Sequence, residues 1–546
     1  MANHKLTVRE ATLDVLRSFG VDRVFGNPGS TELAFLHDWP DDIEYVLGLQ
    51  EACVVGMADG YAQATGRAAF VNLHSAAGLG HALGNLFTAF RNKTPLVVTA
   101  GQQARSILPL RPYLFSEEAA QFPKPYVKWS IEPARAEDVP AAIAQAFQIA
   151  MQHPRGPTFV SVPSDDWARP ASVPPKRRIA TDFEPDVVAI ERLAEAIGQA
   201  KGPIFIVGAD IDRNGAVDQM VAVAEKANAA VWASPMSSRS SFPERHPLFA
   251  GFLHAAPGAL AEALRGRDLI VVFGAPVFTF HVEGYCDLLT NGIPIWQITD
   301  DPTDAAAATP VGESIIGTMR KSLAALLSAL PATTDRKKPK PRRLPPAPSP
   351  TNPILPGFAL NRLSDLLPPD AIVVEEAPSH RPAIQEYLPR PGADSFYTMA
   401  SGGLGYSLPA SVGVALARPG RRIVCLIGDG SSMYCIQGIW TAVQQKLPIT
   451  FVVMNNSGYG AMRFFSRIMQ SERPPGIDLP GLNFVSLAQG FGCEAERVTR
   501  AEDLDGALAR AFEKTGPSLV DIAVDDAVAI LFEEGADKRK KQTEEA

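Results

Sequence analysis

Residues 423–459 read IVCLIGDGSSMYCIQGIWTAVQQKLPITFVVMNNSGY, and the order of runs and breaks in this stretch decides the fold. Ile423–Ile427 is a continuous apolar run that stops at Gly428-Asp429-Gly430. A helix-like segment carries on to Pro448, and a second apolar run, Ile449–Met454, stops at Asn455-Asn456. Uninterrupted apolar strands belong to parallel sheets covered on both faces. Both polar tips then lie at the carboxyl ends of neighbouring strands, where open α/β sheets place their ligands. The Asp429 carboxylate and the Asn456 amide are hard oxygen donors, suited to Mg²⁺ that also holds a diphosphate. Gly428 and Gly430 let the backbone approach those phosphates, and the N-terminus of the following helix favours their negative charge.

A lone Gly-Asp-Gly is more often only a tight strand-to-helix turn. Here 24 residues, Ser431 to Met454, separate it from the paired asparagine. That spacing resembles the diphosphate-and-metal motif of thiamine diphosphate enzymes. The resemblance implies that Gly458 offers its backbone oxygen to the metal. It makes Ser379, His380, Ser431, Ser432 and Tyr459 contacts of the diphosphate end or its surroundings. It also implies that Gly402 presents a carbonyl to the aminopyrimidine and that Leu404 supports the folded shape of the cofactor.

The totals agree with a large globular enzyme. A chain of 546 residues exceeds one core and suggests about three domains. Hydrophobic residues make up 46% and charged residues 20%, and the net charge of −8 gives no reason to expect nucleic acid or an anionic membrane as a partner. The five cysteines, Cys53, Cys286, Cys425, Cys435 and Cys493, show no ligand spacing and read as reduced thiols. The N-terminal segment has the pattern of an amphipathic helix rather than a signal peptide, and no apolar run is long enough for a bilayer. A cytoplasmic enzyme is the expectation.

Read in order, the chain divides into three α/β blocks, each expected to be a doubly wound parallel sheet. The first, 1–180, alternates strands at Arg23–Phe25, Tyr45–Leu49, Ala68–Leu73, Leu96–Thr99 and Thr158–Val162 with helices at Val8–Phe19, Glu51–Ala64, Gly78–Arg91 and Val139–Gln152. A smaller central block, 186–330, carries strands at Ile204–Val207, Ala230–Ala233, Leu269–Phe273 and Pro294–Ile298. Residues 331–356 are rich in proline and basic residues and read as a solvated linker rather than a binding site. The third block, 357–530, has strands at Ala371–Glu375, Arg422–Ile427, Ile449–Met454 and Ser518–Ile522, and 531–546 forms a charged tail. The first and third blocks match in size and pattern, which fits two related cofactor-binding domains around a spacer.

The first block supplies the complementary chemistry. Glu51 follows a strand and opens a helix in LeuGlnGluAlaCysValValGlyMetAlaAspGlyTyr. An acidic residue there also has a plain structural reason, because helix N-termini favour negative charge. The string resembles the catalytic-glutamate helix of thiamine diphosphate enzymes, in which the carboxylate shifts the aminopyrimidine tautomer. The resemblance implies that Glu51 of one subunit meets the diphosphate site of another, in a homo-oligomer that is a dimer of dimers.

The resemblance narrows at GlyAsnProGlySer (Gly26–Ser30), AsnLeuHisSerAlaAlaGly (Asn72–Gly78), GlyAlaProValPhe (Gly274–Phe278) followed by His281, and SerGlyGlyLeuGly (Ser401–Gly405). Together they are similar to the benzoylformate decarboxylases over nearly the whole chain. What this implies is non-oxidative decarboxylation of a 2-keto acid to an aldehyde and CO₂. Ser30 holds the substrate carboxylate, His74 protonates the carbon that CO₂ has left, and His281 serves later proton movement and aldehyde release. Two imidazoles near neutrality suit such transfers. Each residue has an ordinary alternative: a serine bonding its own turn, and histidines packed for structure.

The aryl pocket departs from the pattern. Ala461 and Phe465 agree with it, but Thr398 stands where those enzymes carry an aromatic side chain. Met399 and the loop Leu108–Ser116 could reshape the pocket, so a related aromatic or branched 2-keto acid stays open. Two further readings compete. An acetolactate-synthase-like carboligase would capture a second carbonyl compound, and a flavin in the central block would favour it. A non-enzymatic relative should have lost Glu51 or the Asp429/Asn456 pair, and all three are present.

Overall fold

The computed structural model describes residues 6–283, 292–307, 312–331, 336–472, 474–527 and 531. They form three sheets of six strands, all pairings parallel. The first sheet contains β1 (Arg23–Gly26), β2 (Glu44–Leu47), β3 (Ala69–Leu73), β4 (Leu96–Gln102), β5 (Trp129–Ile131) and β6 (Thr158–Pro163), in the order β2-β1-β3-β4-β6-β5. The second contains β7 (Pro203–Val207), β8 (Ala230–Ala233), β9 (Phe249–Phe252), β10 (Leu269–Phe273), β11 (Ile295–Thr299) and β12 (Glu313–Ile316), in the order β12-β11-β10-β7-β8-β9. The third contains β13 (Ile372–Glu376), β14 (Phe396–Thr398), β15 (Ile423–Gly428), β16 (Ile449–Asn455), β17 (Glu494–Val498) and β18 (Ser518–Ala523), in the order β14-β13-β15-β16-β18-β17.

Strand for strand, the third sheet repeats the order of the first, while the central sheet has the 3-2-1-4-5-6 order of a dinucleotide-type doubly wound fold. The expected pairing of the two apolar runs holds, with Ile423 opposite Ile449 and Gly428 opposite Met454. Strands β15 and β16 are buried almost throughout, as continuous apolar runs require. Five strands escape sequence reading: β5, β9, β12, β14 and β17. All five are sheet edges. β5 and β14 are only three residues long, too short to show a run even though β14 is buried throughout, and β17 mixes exposed Glu494 and Arg497 with partly buried neighbours.

The first and third sheets share one apolar core. Helix Glu51–Thr65 crosses helix Ser407–Ala417 backbone against backbone. A Cβ at Gly60 would overlap the Ala410 carbonyl, and one at Gly413 would overlap that of Met57. Two side-chain amides bind the same seam: Asn85 donates to Ala52 O (2.6 Å) and Gly405 O (3.1 Å), and Gln63 donates to Asp59 (2.7 Å) and the Tyr406 hydroxyl (3.0 Å).

The proline-rich segment differs from a solvated strap at two points. Arg336 caps helix ends of the central domain, donating to the carbonyls of Ile197 (2.5 Å), Ala200 (3.0 Å) and Ala227. Arg342 lies over the rings of Phe249 and Phe252 and donates to Gln385 O (2.8 Å). Guanidinium groups satisfy the orphan carbonyls at helix C-termini and carry a favourable charge there. The four described cysteines are buried free thiols; Cys286, the segments 284–291 and 332–335, and all of the tail but Leu531 lie outside the described residues. No described helix is long and apolar enough to cross a membrane.

Candidate active site

Three neighbouring strands of the first sheet end in the predicted residues. Ser30 follows β1, Glu51 follows β2 and His74 follows β3, at the carboxyl ends that face a doubly wound sheet's switch point. The Gln50 side chain caps the Glu51 helix, accepting from Ala52 N (2.6 Å) and Cys53 N (3.3 Å). Glu51 is therefore free of capping duty. The residue is 8% exposed, and its carboxylate accepts from Asn27 Nδ2 (3.2 Å), with His81 Nδ1 3.1 Å away. Ser30 is exposed, and its hydroxyl makes no hydrogen bond among the described residues, so it is not spent on its own turn.

His74 stacks against Gly29, where a Cβ would overlap its ring. Its Nδ1 lies 2.9 Å from Glu32 Oε2 and 3.1 Å from Thr31 Oγ1. Thr31 spends its proton on Glu32 Oε1 (2.6 Å), so both neighbours face Nδ1 as acceptors. Nδ1 thus carries the proton, and Nε2 is left for other chemistry. Glu32, 1% exposed, also accepts from Gly29 N (2.9 Å) and Gly101 N (3.0 Å). Sequence reading missed it because a glutamate beside a glycine-rich turn looks like a surface residue. The signal that points to it is functional: a histidine acting in proton transfer needs a group to fix its tautomer.

The third sheet supplies the other half. Asp429, at the end of β15, is buried; Oδ1 accepts from Gly430 N (2.7 Å) and Oδ2 from Gly458 N (2.9 Å). Burial holds its carboxyl above the usual range despite these N–H groups. The Asn456 side-chain amide makes no hydrogen bond among the described residues. The expectation for the two glycines is divided by the packing. A Cβ at Gly428 would meet nothing closer than Ser431 Oγ at 3.7 Å, whereas one at Gly430 would strike the Tyr459 ring. Gly430 is required by Tyr459, and only Gly428 keeps open space that a ligand would need. The helix behind them is also shorter than expected, a single turn at Asp429–Ser432 before a second helix at Gly438–Gln444. Ser432 Oγ donates to Asp429 O (2.7 Å) and braces that turn.

A cavity of about 380 Å³ joins this end to the central domain. Ser379, His380, Gly402, Leu404, Ser431 and Tyr459 line it, as do Asp429, Asn456 and Gly458. His281, beyond β10, enters from the central domain and stacks on Phe465, with ring centroids 5.0 Å apart. Met399 and Ala461 complete the apolar wall, and Leu531 approaches from the C-terminal side. Thr398 is absent from the lining. Its hydroxyl sits behind the wall, accepting from Arg381 Nη2 (3.1 Å), while Arg381 also pairs with Glu375 (2.5 Å). Neither Ser30, Glu51 nor His74 lines the cavity of the same chain, and the loop 108–116 does not either. In that loop Leu110 is 77% and Tyr113 88% exposed.

Two buried groups around the cavity were not anticipated in kind. His380 has its imidazole pushed down to about 4 by burial, so it is neutral, and its Nδ1 has no partner. Glu376 accepts from Gly405 N (2.6 Å), Tyr406 N (2.7 Å) and Ser407 N (2.7 Å), and burial still pushes its carboxyl up to about 7. It ties the loop bearing Gly402 and Leu404 to the end of β13. Its only mark in the sequence is a pair of acids, Glu375 and Glu376, closing an apolar run.

Comparison with known proteins identifies the family. The models of the thiamine pyrophosphate enzyme N-terminal TPP binding domain, central domain and C-terminal TPP binding domain match residues 6–122, 190–326 and 378–522. The chain is 41% identical over 523 residues to benzoylformate decarboxylase of Pseudomonas aeruginosa, covering 94% of this chain and 98% of that protein. The structure of benzoylformate decarboxylase from Polynucleobacter necessarius superposes with a TM-score of 0.93 at 41% identity, covering 96% of this chain and 99% of that one. The 4-hydroxybenzoylformate decarboxylase of Rhodococcus jostii gives 0.92 at 40% identity, with 96% and 100% coverage. The acetolactate synthase large subunit of Haemophilus influenzae is more distant, 28% identical over 557 residues, covering 96% and 95%. On three domain models and 41% identity over nearly its whole length, the chain belongs to the thiamine diphosphate-dependent decarboxylase superfamily, on its benzoylformate decarboxylase side.

Proposed function

We propose that the chain is a thiamine diphosphate- and Mg²⁺-dependent decarboxylase of an aryl 2-keto acid, releasing an aldehyde and CO₂. One observation carries the reading: a single cavity joins the Asp429/Asn456 end to an apolar wall bearing His281 stacked on Phe465. The donor set fits the cofactor. Asp429, Asn456 and the Gly458 carbonyl are oxygen ligands, and no cluster of three or more His, Cys, Asp or Glu side chains suited to a metal exists among the described residues. So few protein ligands suit a Mg²⁺ whose remaining positions go to phosphate and water. The open Gly428, with Ser379, Ser431 and the neutral His380 on the same cavity, leaves room for the diphosphate, and the metal would offset the charge of Asp429 beside it. When bound, thiamine diphosphate supplies the electron sink for the bond that breaks as CO₂ departs.

The chain's own residues then orient groups and move protons. Glu51, the Gly402 carbonyl and Leu404 would hold the cofactor's aminopyrimidine end, with Glu51 supplying the carboxylate that shifts its tautomer. The Ser30 hydroxyl donates to the substrate carboxylate. His74, whose Nδ1–H is held by Glu32, would take up a proton at Nε2 and return that proton to the carbon that lost CO₂. His281 takes the hydroxyl proton as the aldehyde leaves. Met399, Ala461 and Phe465 hold the aryl group, with Thr398 acting through Arg381 behind them.

Ser30, Glu51 and His74 lie outside the cavity of their own chain, so we assign them to the site of a second copy. The exposed Leu110 and Tyr113 support burial of that face in an oligomer, which we take to be a dimer of dimers. Buried unpaired thiols support a cytoplasmic location. The test is a panel of aromatic and branched 2-keto acids with Mg²⁺ and thiamine diphosphate, scored for aldehyde and for ligated product. Aldehyde should dominate; ligated product in excess would move the assignment to a carboligase.

A further inference from the structure

The cavity wall carries a second imidazole from the central domain, His254, which lies just beyond β9. Its backbone is held firmly. Leu253, Ala255 and Ala256 are buried, and Ala255 O accepts from His281 N at 2.8 Å, so the segment carrying His254 is tied alongside His281. The His254 side chain is half-buried and makes no hydrogen bond or ion pair among the described residues. The cavity surface as a whole is largely apolar, and Leu253, Met399, Leu404, Ala461 and Phe465 contribute to it. A polar ring kept on such a wall without a protein partner costs free energy, and a ligand group that pairs with it recovers that cost.

The chemistry of that group can be narrowed. The oxygens of the 2-keto acid itself are served by Ser30, His74 and His281 in the reading above, which leaves His254 for a more distant atom. An anionic group would call for a free cation. Two arginines on the lining are ion-paired, Arg239 with Asp212 (2.6 Å) under the Tyr397 ring (3.6 Å) and Arg381 with Glu375 (2.5 Å), and the third, Arg390, is buried and held to Ala371 O (2.7 Å). A neutral imidazole can donate or accept, and a hydroxyl can do the same, so the two match whichever tautomer is present.

We propose that His254 is a specificity-determining residue that reads a hydroxyl on the aryl group of the substrate, so that the enzyme prefers a hydroxylated aryl 2-keto acid to one of equal size without the hydroxyl. This rests on the decarboxylase reading. The test compares benzoylformate, 4-hydroxybenzoylformate and 4-methylbenzoylformate with the holoenzyme and with its His254→Leu and His254→Gln variants. Wild type should favour the hydroxylated over the methylated substrate by roughly tenfold in kcat/KM. His254→Leu should abolish that preference while leaving benzoylformate turnover unchanged, and His254→Gln should retain most of it. An equal fall on all three substrates, or a hydroxyl preference that survives in His254→Leu, overturns the assignment. A wild-type enzyme that consumes none of the three overturns the decarboxylase reading and this assignment with it, whereas turnover without hydroxyl preference overturns His254 alone.

Discussion

Replacing Glu32 with glutamine keeps the shape of a buried side chain and removes its charge. The native carboxylate accepts four hydrogen bonds: from Gly29 N and His74 Nδ1 at Oε2, and from Thr31 Oγ1 and Gly101 N at Oε1. Glutamine has one oxygen, and its NH₂ must face two of those donors. If the oxygen stays toward Gly101, the amide donates to His74 and drives it to the tautomer with the proton on Nε2. If it stays toward His74, the Gly101 N–H is orphaned. Either outcome leaves a buried N–H unsatisfied, at about 1–3 kcal/mol of stability. A charge-assisted hydrogen bond contributes about 1.5–3 kcal/mol, and each 1.36 kcal/mol is tenfold in rate. Decarboxylation should therefore slow by about 10- to 100-fold in kcat with KM little changed. Aldehyde release gives the rate, a ¹⁵N–¹H spectrum gives the His74 tautomer, and thermal unfolding gives the stability. A variant with the native tautomer and an undiminished kcat would refute the coupling of Glu32 to His74.

Other expectations follow from the same geometry. Glu51→Gln should slow exchange of the cofactor C2 proton by about 10²–10⁴-fold while cofactor still binds; mixing it with an inactive Asp429→Ala variant should restore turnover that neither parent has, and no restoration would place both residues in one chain's site. Gly428→Ala should leave the melting temperature of the cofactor-free protein unchanged but weaken thiamine diphosphate binding, because its Cβ finds no protein atom within 3.4 Å. Gly430→Ala should instead cost about 1–3 kcal/mol of stability through its overlap with Tyr459, read by urea unfolding. For Glu376, whose folded carboxyl is raised from 4.5 to about 7, the native state holds the proton more tightly. Its contribution is fully present below pH 4.5 and is lost as pH rises through about 7, a change of about 3 kcal/mol. Glu376→Gln should flatten the fall in stability across that window by this amount, and an unchanged slope would contradict it.

Much of the molecule is legible along the chain. Ile423–Ile427 and Ile449–Met454 read as neighbouring buried strands because a strand covered on both faces must be apolar at every position. Asp429, Asn456, Ser30, Glu51 and His74 stand out because each interrupts such a pattern at a strand end. These five edge strands are not legible, since they are three to five residues long and either too short to show a run or mixed in polarity. The proline-rich segment looks solvated, yet Arg336 and Arg342 are held by helix ends and rings contributed by distant parts of the chain.

By itself, the sequence determines the sheet class, the strand-end chemistry and the superfamily, because these depend on local periodicity and on spacings within single strand–helix units. Tertiary structure alone decides which groups meet. Glu32 reaches His74 across 42 positions, Glu376 holds a loop near position 405, and His254 shares a wall with His281. Thr398 lies behind the pocket and Gly430 serves Tyr459. Each of these depends on the distance between elements packed far apart in the chain, and no local pattern encodes such a distance.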